Sequence, residues 1–477
     1  MTRNHSDHAE HLERLFDFLP LEGDYPIETE GLLPAGLRGS YYLNGPCRFQ
    51  RGDISYRHWL DGDGMVSALH FADGRARFVN RFVRGKKWND EEAAGRALYR
   101  CFGTAFSGDQ LKRGIGLESP MNVSAYWWSG KLLAFGEQGL PWELDPVTLE
   151  SRGEYSFGGR LNAISPMSAH AHIDPQSGEL FNFGVSFSAK QPSLTIYRIA
   201  GNDEIVYRRR IPLEWPASVH DFMLGENHLV FYVSPHLLEV EKLIGAGATL
   251  MDALSWRPEL GSRLIVVERA TGSVVATIQI DGRYCLHLIN SFEENGQLVV
   301  DVVELDRPVY DQYQVVPDLF PDAPLGGPRR FRIALASLAL ESASETIAYQ
   351  AAPDFPAIDP RRLQRSYDDL WLLGMSHAEE PGRKFFDQIV HLSWSCPHEA
   401  DLWQAPAGHY LGGEPVFLLD HHDENAGYVI CQIFDAANRA SAFLLFSAAC
   451  LARGPIARLP LRSPLPACFH ASYHPAD

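Results

Sequence analysis

Ser168-Ala169-His170-Ala171-His172-Ile173-Asp174-Pro175, running on through Gln176-Ser177-Gly178 into Glu179-Leu180-Phe181, decides how the chain is read. The second half is a turn: Asp-Pro opens it, Ser-Gly closes it, and a strand-like run follows. The first half sets histidines among small and apolar residues. One such histidine alone reads as a solvated or hydrogen-bonded side chain beside a turn. Three more segments have the same character: Ser218-Val219-His220-Asp221-Phe222, Cys285-Leu286-His287-Leu288-Ile289-Asn290 and Pro466-Ala467-Cys468-Phe469-His470. Each lies at the edge of a strand-like run, and a buried imidazole needs a partner. Four of them gathered from distant segments would make a metal site.

The same short-strand grammar extends in both directions. Ser67–Phe71 and Ala76–Val79 flank an Asp73-Gly74 turn, and Trp127–Phe135 folds back through Ser129-Gly130. Val266–Val275 turns through Thr271-Gly272, and Tyr428–Phe434 pairs with Ala442–Phe446 across residues 435 to 439. Two-residue turns with glycine between apolar runs are hairpin signals. At this density they imply a sandwich, barrel or propeller. No strict repeat is present, but seven blades of about 45 residues would take about 315, leaving the rest for long loops. Leu243-Ile244-Gly245-Ala246-Gly247-Ala248-Thr249-Leu250-Met251, within the insertion 237 to 256, is a weakly amphipathic helix candidate. It could line a tunnel or touch a membrane surface; packing on the protein's own sheet is the favoured reading.

Composition bounds the function. The chain has 477 residues, 45% of them hydrophobic, with 40 glycines and 31 prolines, enough for a large core cut by many turns. Lys plus Arg is 42 against Asp plus Glu 60, a net charge of −18. That excludes a nucleic-acid partner, which needs a basic face, and gives no support to docking on anionic lipid. The seven cysteines are odd in number and form no C-x-x-C pair. A disulfide framework and a thiolate zinc site are disfavoured, and a reducing, cytoplasmic setting fits. The polar N-terminus has no signal core. Residues 1 to 20 read as a flexible arm carrying solvated His5, His8 and His11, and 21 to 477 as one domain. The Asp61-Gly62-Asp63-Gly64 turn is not a calcium loop, since Met65 and Ala72 stand where ligands would be needed.

His170, His220, His287 and His470 have no local motif spacing. A propeller would nevertheless bring them together, because the inner strands of successive blades run beside one axis. Four neutral imidazoles suit iron, copper or zinc. Carboxylates accepting the other ring N–H would offset the charge and fix each tautomer. Glu137, Asp354 and Glu414 are candidates, each also readable as a rim or turn residue.

Several segments together resemble the carotenoid cleavage oxygenases, a family that includes carotenoid, apocarotenoid and lignostilbene dioxygenases. They are His58-Trp59-Leu60-Asp61-Gly62-Asp63-Gly64-Met65-Val66, Tyr42-Leu43-Asn44-Gly45-Pro46, Leu144–Glu150, the four histidine segments and Gly412-Gly413-Glu414-Pro415-Val416-Phe417. The resemblance runs in order over nearly the whole chain. It implies an all-β, seven-bladed β-propeller capped by loops and short helices. It also implies Fe(II) on His170, His220, His287 and His470, with Glu137, Asp354 and Glu414 orienting three of them. His172 falls where the family has no ligand. The implied reaction is cleavage of a conjugated C=C bond by O2 to give two carbonyl products.

The chain departs from the family pattern in places. Asp354 stands where Glu is usual, so reaching its histidine requires a backbone shift or a bridging water. Cys468 and Ala471 replace glycines around Phe469-His470, and Val123 replaces a threonine. Relatives that cleave stilbenes and phenylpropenes carry a Lys and a Tyr that bind a phenol oxygen; here those positions are Gly136 and Phe102. An unpaired phenol oxygen is costly, which favours an apolar carotenoid or apocarotenoid over an aryl alkene. A propeller that binds metal or ligand without catalysis is the reading from a different class. Peripheral membrane contact and oligomeric state are left open at this point.

Overall fold

Apolar runs that show no alternation need a sheet packed on both faces, and His228–Val233 shows why. Its residues after the first are all buried, yet successive side chains enter different cores. Leu229, Phe231 and Val233 pack with Phe183 and Leu194, whereas Val230 and Tyr232 pack with Val300 and Phe331. The period of two points neighbouring side chains to opposite faces, so the sheet is wedged between the one before it and the one after.

The computed structural model describes residues 9–112, 116–186, 188, 191–245, 247–309, 316, 318–341, 344–424 and 426–476. Seven antiparallel sheets form a seven-bladed β-propeller. The innermost strands are Ala471–Pro475 (blade I), Ser124–Trp128 (II), His172–Ile173 (III), Phe222–Leu224 (IV), Tyr284–Glu294 (V), Asp354–Ala357 (VI) and His409–Leu419 (VII). Innermost strands touch across the I–II, IV–V, V–VI, VI–VII and VII–I junctions. The ring closes through both ends of the chain. Ala471–Pro475 pairs with Gly39–Arg48 as the inner edge of blade I, with Leu43 opposite Ala471. Glu30–Gly31 pairs with Ala457–Pro460 as the outer edge of blade VII.

The hairpins anticipated at Asp73-Gly74 and Ser129-Gly130 join Asp63–Ala72 to Arg75–Phe82 and Ser124–Trp128 to Lys131–Phe135. Both residues of each turn have positive φ, at 51° and 69° and at 49° and 79°, the backbone that suits tight hairpins. All seven cysteines are free thiols.

Two expectations differ from what is observed. Residues 1–8, with His5 and His8, lie outside the described residues, but the segment after them is not a free arm. Ala9, Leu12, Leu15 and Phe16 are buried against Phe49, Tyr56 and Trp59, because a short 3-10 turn, Leu12–Leu15, puts its leucines on one side. His11 stays exposed, near Glu13. The helix expected at 243–251 instead spans Val240–Gly245. It is held between two short paired strands, His236–Leu238 and Leu254–Trp256. Leu243 and Leu250 pack with Leu238 and Ala253, and Leu250 also lines a cavity, so the stretch both packs on the protein and borders a cavity. Among the described residues no helix is long and apolar enough to cross a membrane.

Candidate metal centre

The four histidines come from blades III, IV, V and I. His170 and His220 each lie two residues before an inner strand, His470 lies immediately before one, and His287 lies within one. All four are buried, and one ligand atom from each falls within 4.8 Å of the others. His220 Nε2 is 2.9 Å from His170 Nε2 and 3.2 Å from His287 Nε2.

The three remaining blades each supply a carboxylate. Glu137 follows Lys131–Phe135 of blade II, Asp354 opens the inner strand of blade VI, and Glu414 lies in that of blade VII. Each meets one imidazole Nδ1: Glu137 with His220 at 2.9 Å, Asp354 with His287 at 2.6 Å, and Glu414 with His470 at 3.2 Å. The direct bond from Asp354 replaces the bridging water considered from the sequence, and the backbone around it is irregular. Pairing slips between Asp354 and Ala357, and Phe355 adopts φ 56°, a left-handed backbone rare for a large side chain.

These bonds decide whether a metal fits. A carboxylate accepts, so Nδ1 of His220, His287 and His470 carries the proton and Nε2 of each neutral ring is a lone pair. Lone pairs that face one another at these separations repel, and a cation between them removes the conflict. The donor set suits a borderline divalent ion. The field agrees. Burial, reinforced by the neighbouring imidazoles, holds His170 well below the usual histidine range. Burial also pulls His470 down to about 4, against the pull of Glu414. His287 is raised, because the charge and hydrogen bond of Asp354 outweigh the effect of burial.

The motifs around the site hold it in place. Asn44 N–H donates to His470 O, Phe469 N–H donates to Asn44 O, and Asn44 Nδ2 donates to Met121 O and Ser124 O. Trp59 Nε1 donates to Ala467 O, and its ring lies against Phe469. Asp61 accepts from Gly103 N and Thr104 Oγ1. Asp63 is buried between Arg51 and Lys87, with Lys87 carried by the helix Lys86–Ala94. The Asp-Gly-Asp-Gly turn therefore anchors the cap.

A cavity of about 230 Å³ reaches the site at His220 and Glu137, with Leu60, Phe102, Val123, Met167 and Leu254 in its walls. Glu137 lines this cavity, and 44% of its side chain is exposed. Phe102 and Val123 line the cavity. Gly136 does not supply wall: it is buried, and a Cβ there would collide with Ser119 Oγ. The wall is also less apolar than the residues at 102 and 136 implied, because it includes Lys112 and Glu118. His172 stays outside the cluster and donates through Nε2 to Phe222 O at 2.7 Å.

Sequence reasoning passed over Asp221. Its Oδ1 lies 3.5 Å from both His170 Nδ1 and His172 Nε2, and its oxygens accept from Phe222 N and Leu288 N. Adjacency to His220 was its only signal. Lys112 and Glu118 gave none, since the chain between Leu98 and Asn122 has no strand periodicity.

The comparisons with known proteins agree with this geometry. The family described as RPE65, retinal pigment epithelial membrane protein, matches residues 18–475. The chain is 28% identical to an apocarotenoid-15,15'-oxygenase of Synechocystis, covering 95% of this chain and 94% of that one. It is 26% identical to an isoeugenol monooxygenase of Pseudomonas putida, covering 94% of both. It is also 26% identical to a lignostilbene-alpha,beta-dioxygenase of Sphingomonas paucimobilis, covering 93% of both. Among solved structures, cobalt-substituted Synechocystis ACO superposes with a TM-score of 0.87 at 26% identity, over 99% of this chain and 100% of that one. With the family match spanning all seven blades and all four histidines, the chain belongs to the RPE65, or carotenoid cleavage oxygenase, family.

Proposed function

We propose that the chain is a non-heme Fe(II) dioxygenase that cleaves a conjugated C=C bond of a carotenoid or apocarotenoid with O2, giving two carbonyl products. The observation that carries this reading is the convergence of four buried imidazoles at the end of a largely apolar cavity. His170, His220, His287 and His470 would hold the metal. When bound, Fe(II) supplies activation of O2 at a position the ligands leave open.

The rest is done by the chain's own residues. Glu137, Asp354 and Glu414 keep the proton on each Nδ1, so that Nε2 faces the axis, and their charges offset that of the ion. Phe355, close to both His287 and His470, and Phe469 keep the axis dry. The cavity walls hold one double bond beside His220, which fixes where the molecule is cut. The C=C bond breaks and each carbon takes one oxygen, so no proton is transferred and no acid or base is assigned.

A stilbene or phenylpropene is the second reading. It is supported by the Lys112 and Glu118 pair in the cavity wall, and by relatives whose names specify isoeugenol and lignostilbene. The free thiols accord with a cytoplasmic setting. Ile164, which lines the cavity and is 65% exposed, offers an apolar contact for peripheral docking where substrate is drawn from a membrane. The test is turnover of the iron-loaded chain in ¹⁸O₂ on a panel of apocarotenals and stilbenes. The expected result is two carbonyl products, each carrying label. An iron-loaded protein that takes up no O2 with any of them would refute the reading.

A further inference from the structure

Three of the four clustered imidazoles have a carboxylate bonded to Nδ1, and His170 is the one that does not. Glu137, Asp354 and Glu414 come from the blades without a histidine and serve His220, His287 and His470. The main chain of His170 is pinned, because Asn182 Nδ2 donates to Ser168 O and His170 O. Those bonds leave the orientation of the ring unset. An imidazole that turns Nε2 to a cation carries its proton on Nδ1, and the acceptor of that proton fixes the ring. Among the described residues, the one carboxylate oxygen within ion-pair reach of His170 Nδ1 is Asp221 Oδ1, at 3.5 Å.

Asp221 is itself firmly held. Its side chain is 4% exposed. Oδ1 accepts from Phe222 N at 2.8 Å and Oδ2 from Leu288 N at 2.9 Å, where pairing slips beside His287. Two donors from blades IV and V thus fix the carboxylate, and each oxygen keeps a further lone pair. His172 of blade III stands as near, with Nε2 3.5 Å from the same Oδ1. Its proton is committed elsewhere: Nε2 donates to Phe222 O at 2.7 Å, and a carbonyl only accepts. The spare lone pair on Oδ1 is left to His170.

We infer that Asp221 is the positioning residue for His170: it takes the Nδ1 proton and keeps Nε2 turned to the axis, a fourth carboxylate for the fourth imidazole. This rests on the reading of the four histidines as a metal centre and is independent of the reaction performed there. The gap of 3.5 Å makes His170 the least firmly set of the four rings in this structure, and loading the metal is expected to close it. Asp221 also follows His220 and bonds the residue after His287. A structural role acting through those two ligands is therefore the alternative that the experiment must separate.

The test is a double-mutant cycle on Co(II) affinity, measured with the full chain by competition with a chelator. Asp221→Asn is expected to weaken binding about 10- to 100-fold in the native background, as loss of a carboxylate behind a ligand does. In His170→Ala the same substitution should change affinity by less than about twofold, and in His287→Ala by the full factor. No loss in the native background, or a loss that persists in His170→Ala, overturns the inference. A second measurement needs no variant: in a crystal structure of the metal-loaded native protein, His170 Nδ1 should lie within about 3.2 Å of an Asp221 oxygen. An unclosed gap, or Nδ1 bonded to another acceptor, overturns it equally. Native protein that binds no Co(II) would overturn the metal-centre reading and this inference with it. The expected cycle in a protein that, iron-loaded, cleaves no alkene would overturn the dioxygenase reading and leave the role of Asp221 standing.

Discussion

Asp354 meets His287 directly, where the backbone is irregular. Its Oδ1 takes the ring N–H and also the N–H of Phe355, while Oδ2 is buried without a donor among the described residues. A void of about 10 Å³ lies beside it. The sequence flagged this position as one methylene short but gave no means of choosing between a water and a backbone shift. That choice depends on the φ of Phe355, and no residue preference announces a left-handed phenylalanine. Asp354→Asn removes the charge behind His287 and is expected to weaken metal binding about 10- to 100-fold, read by competition with a chelator. Asp61 offers a test by pH. Burial pushes its carboxyl up to about 6, against the donors at Thr104 and Gly103. A carboxyl raised above its usual value binds its proton more tightly folded than unfolded, so its contribution to stability falls as pH rises from about 4 to 6. Relative to the native protein, Asp61→Asn should therefore gain as pH rises through that window, by up to about 3 kcal/mol. Thermal melts of both proteins at pH 4 and pH 7 would check this.

Strand irregularities aim three of the site residues. Pairing shifts occur between Cys285 and Leu288 around His287, between Asp354 and Ala357, and between Gly412 and Val416 around Glu414. A regular ladder would point these side chains alternately into the two flanking cores. A bulge re-aims one of them, here toward the axis. Gly412-Gly413-Glu414 was readable as a motif, and the φ of 73° at Gly413 explains one of its glycines. The bulge at His287 has no such mark in Cys285-Leu286-His287-Leu288. Gly413→Ala would strain the backbone and place a Cβ 2.8 Å from Leu43 Cδ1. It is expected to cost about 1–3 kcal/mol of stability and to loosen Glu414, lowering metal occupancy along with the melting temperature. Unchanged occupancy and melting would mean that the bulge does not position Glu414.

The whole molecule depends on its ends. The closing strand Ala471–Pro475 pairs with Gly39–Arg48 and sits directly after His470. Removing it would leave blade I without an inner edge and release a ligand. Deletion of residues 471–477 is expected to abolish cooperative unfolding in circular dichroism and to expose the chain to limited proteolysis. The propeller was legible in part from the hairpins and the run of family-like segments. The double closure was not, because Glu30–Gly31 and Ala471–Pro475 are short and gain their partners only across more than 400 residues of chain. Convergence of the four histidines likewise follows from one inner strand per blade, a relation among blades that no local spacing records. X-ray absorption at the iron edge of the Fe(II)-loaded protein tests that convergence most directly. The expected spectrum shows four imidazole nitrogens at about 2.1 Å, reduced to three in His287→Ala. A shell with sulfur, or with two or fewer imidazoles, or one unchanged in His287→Ala, would contradict it.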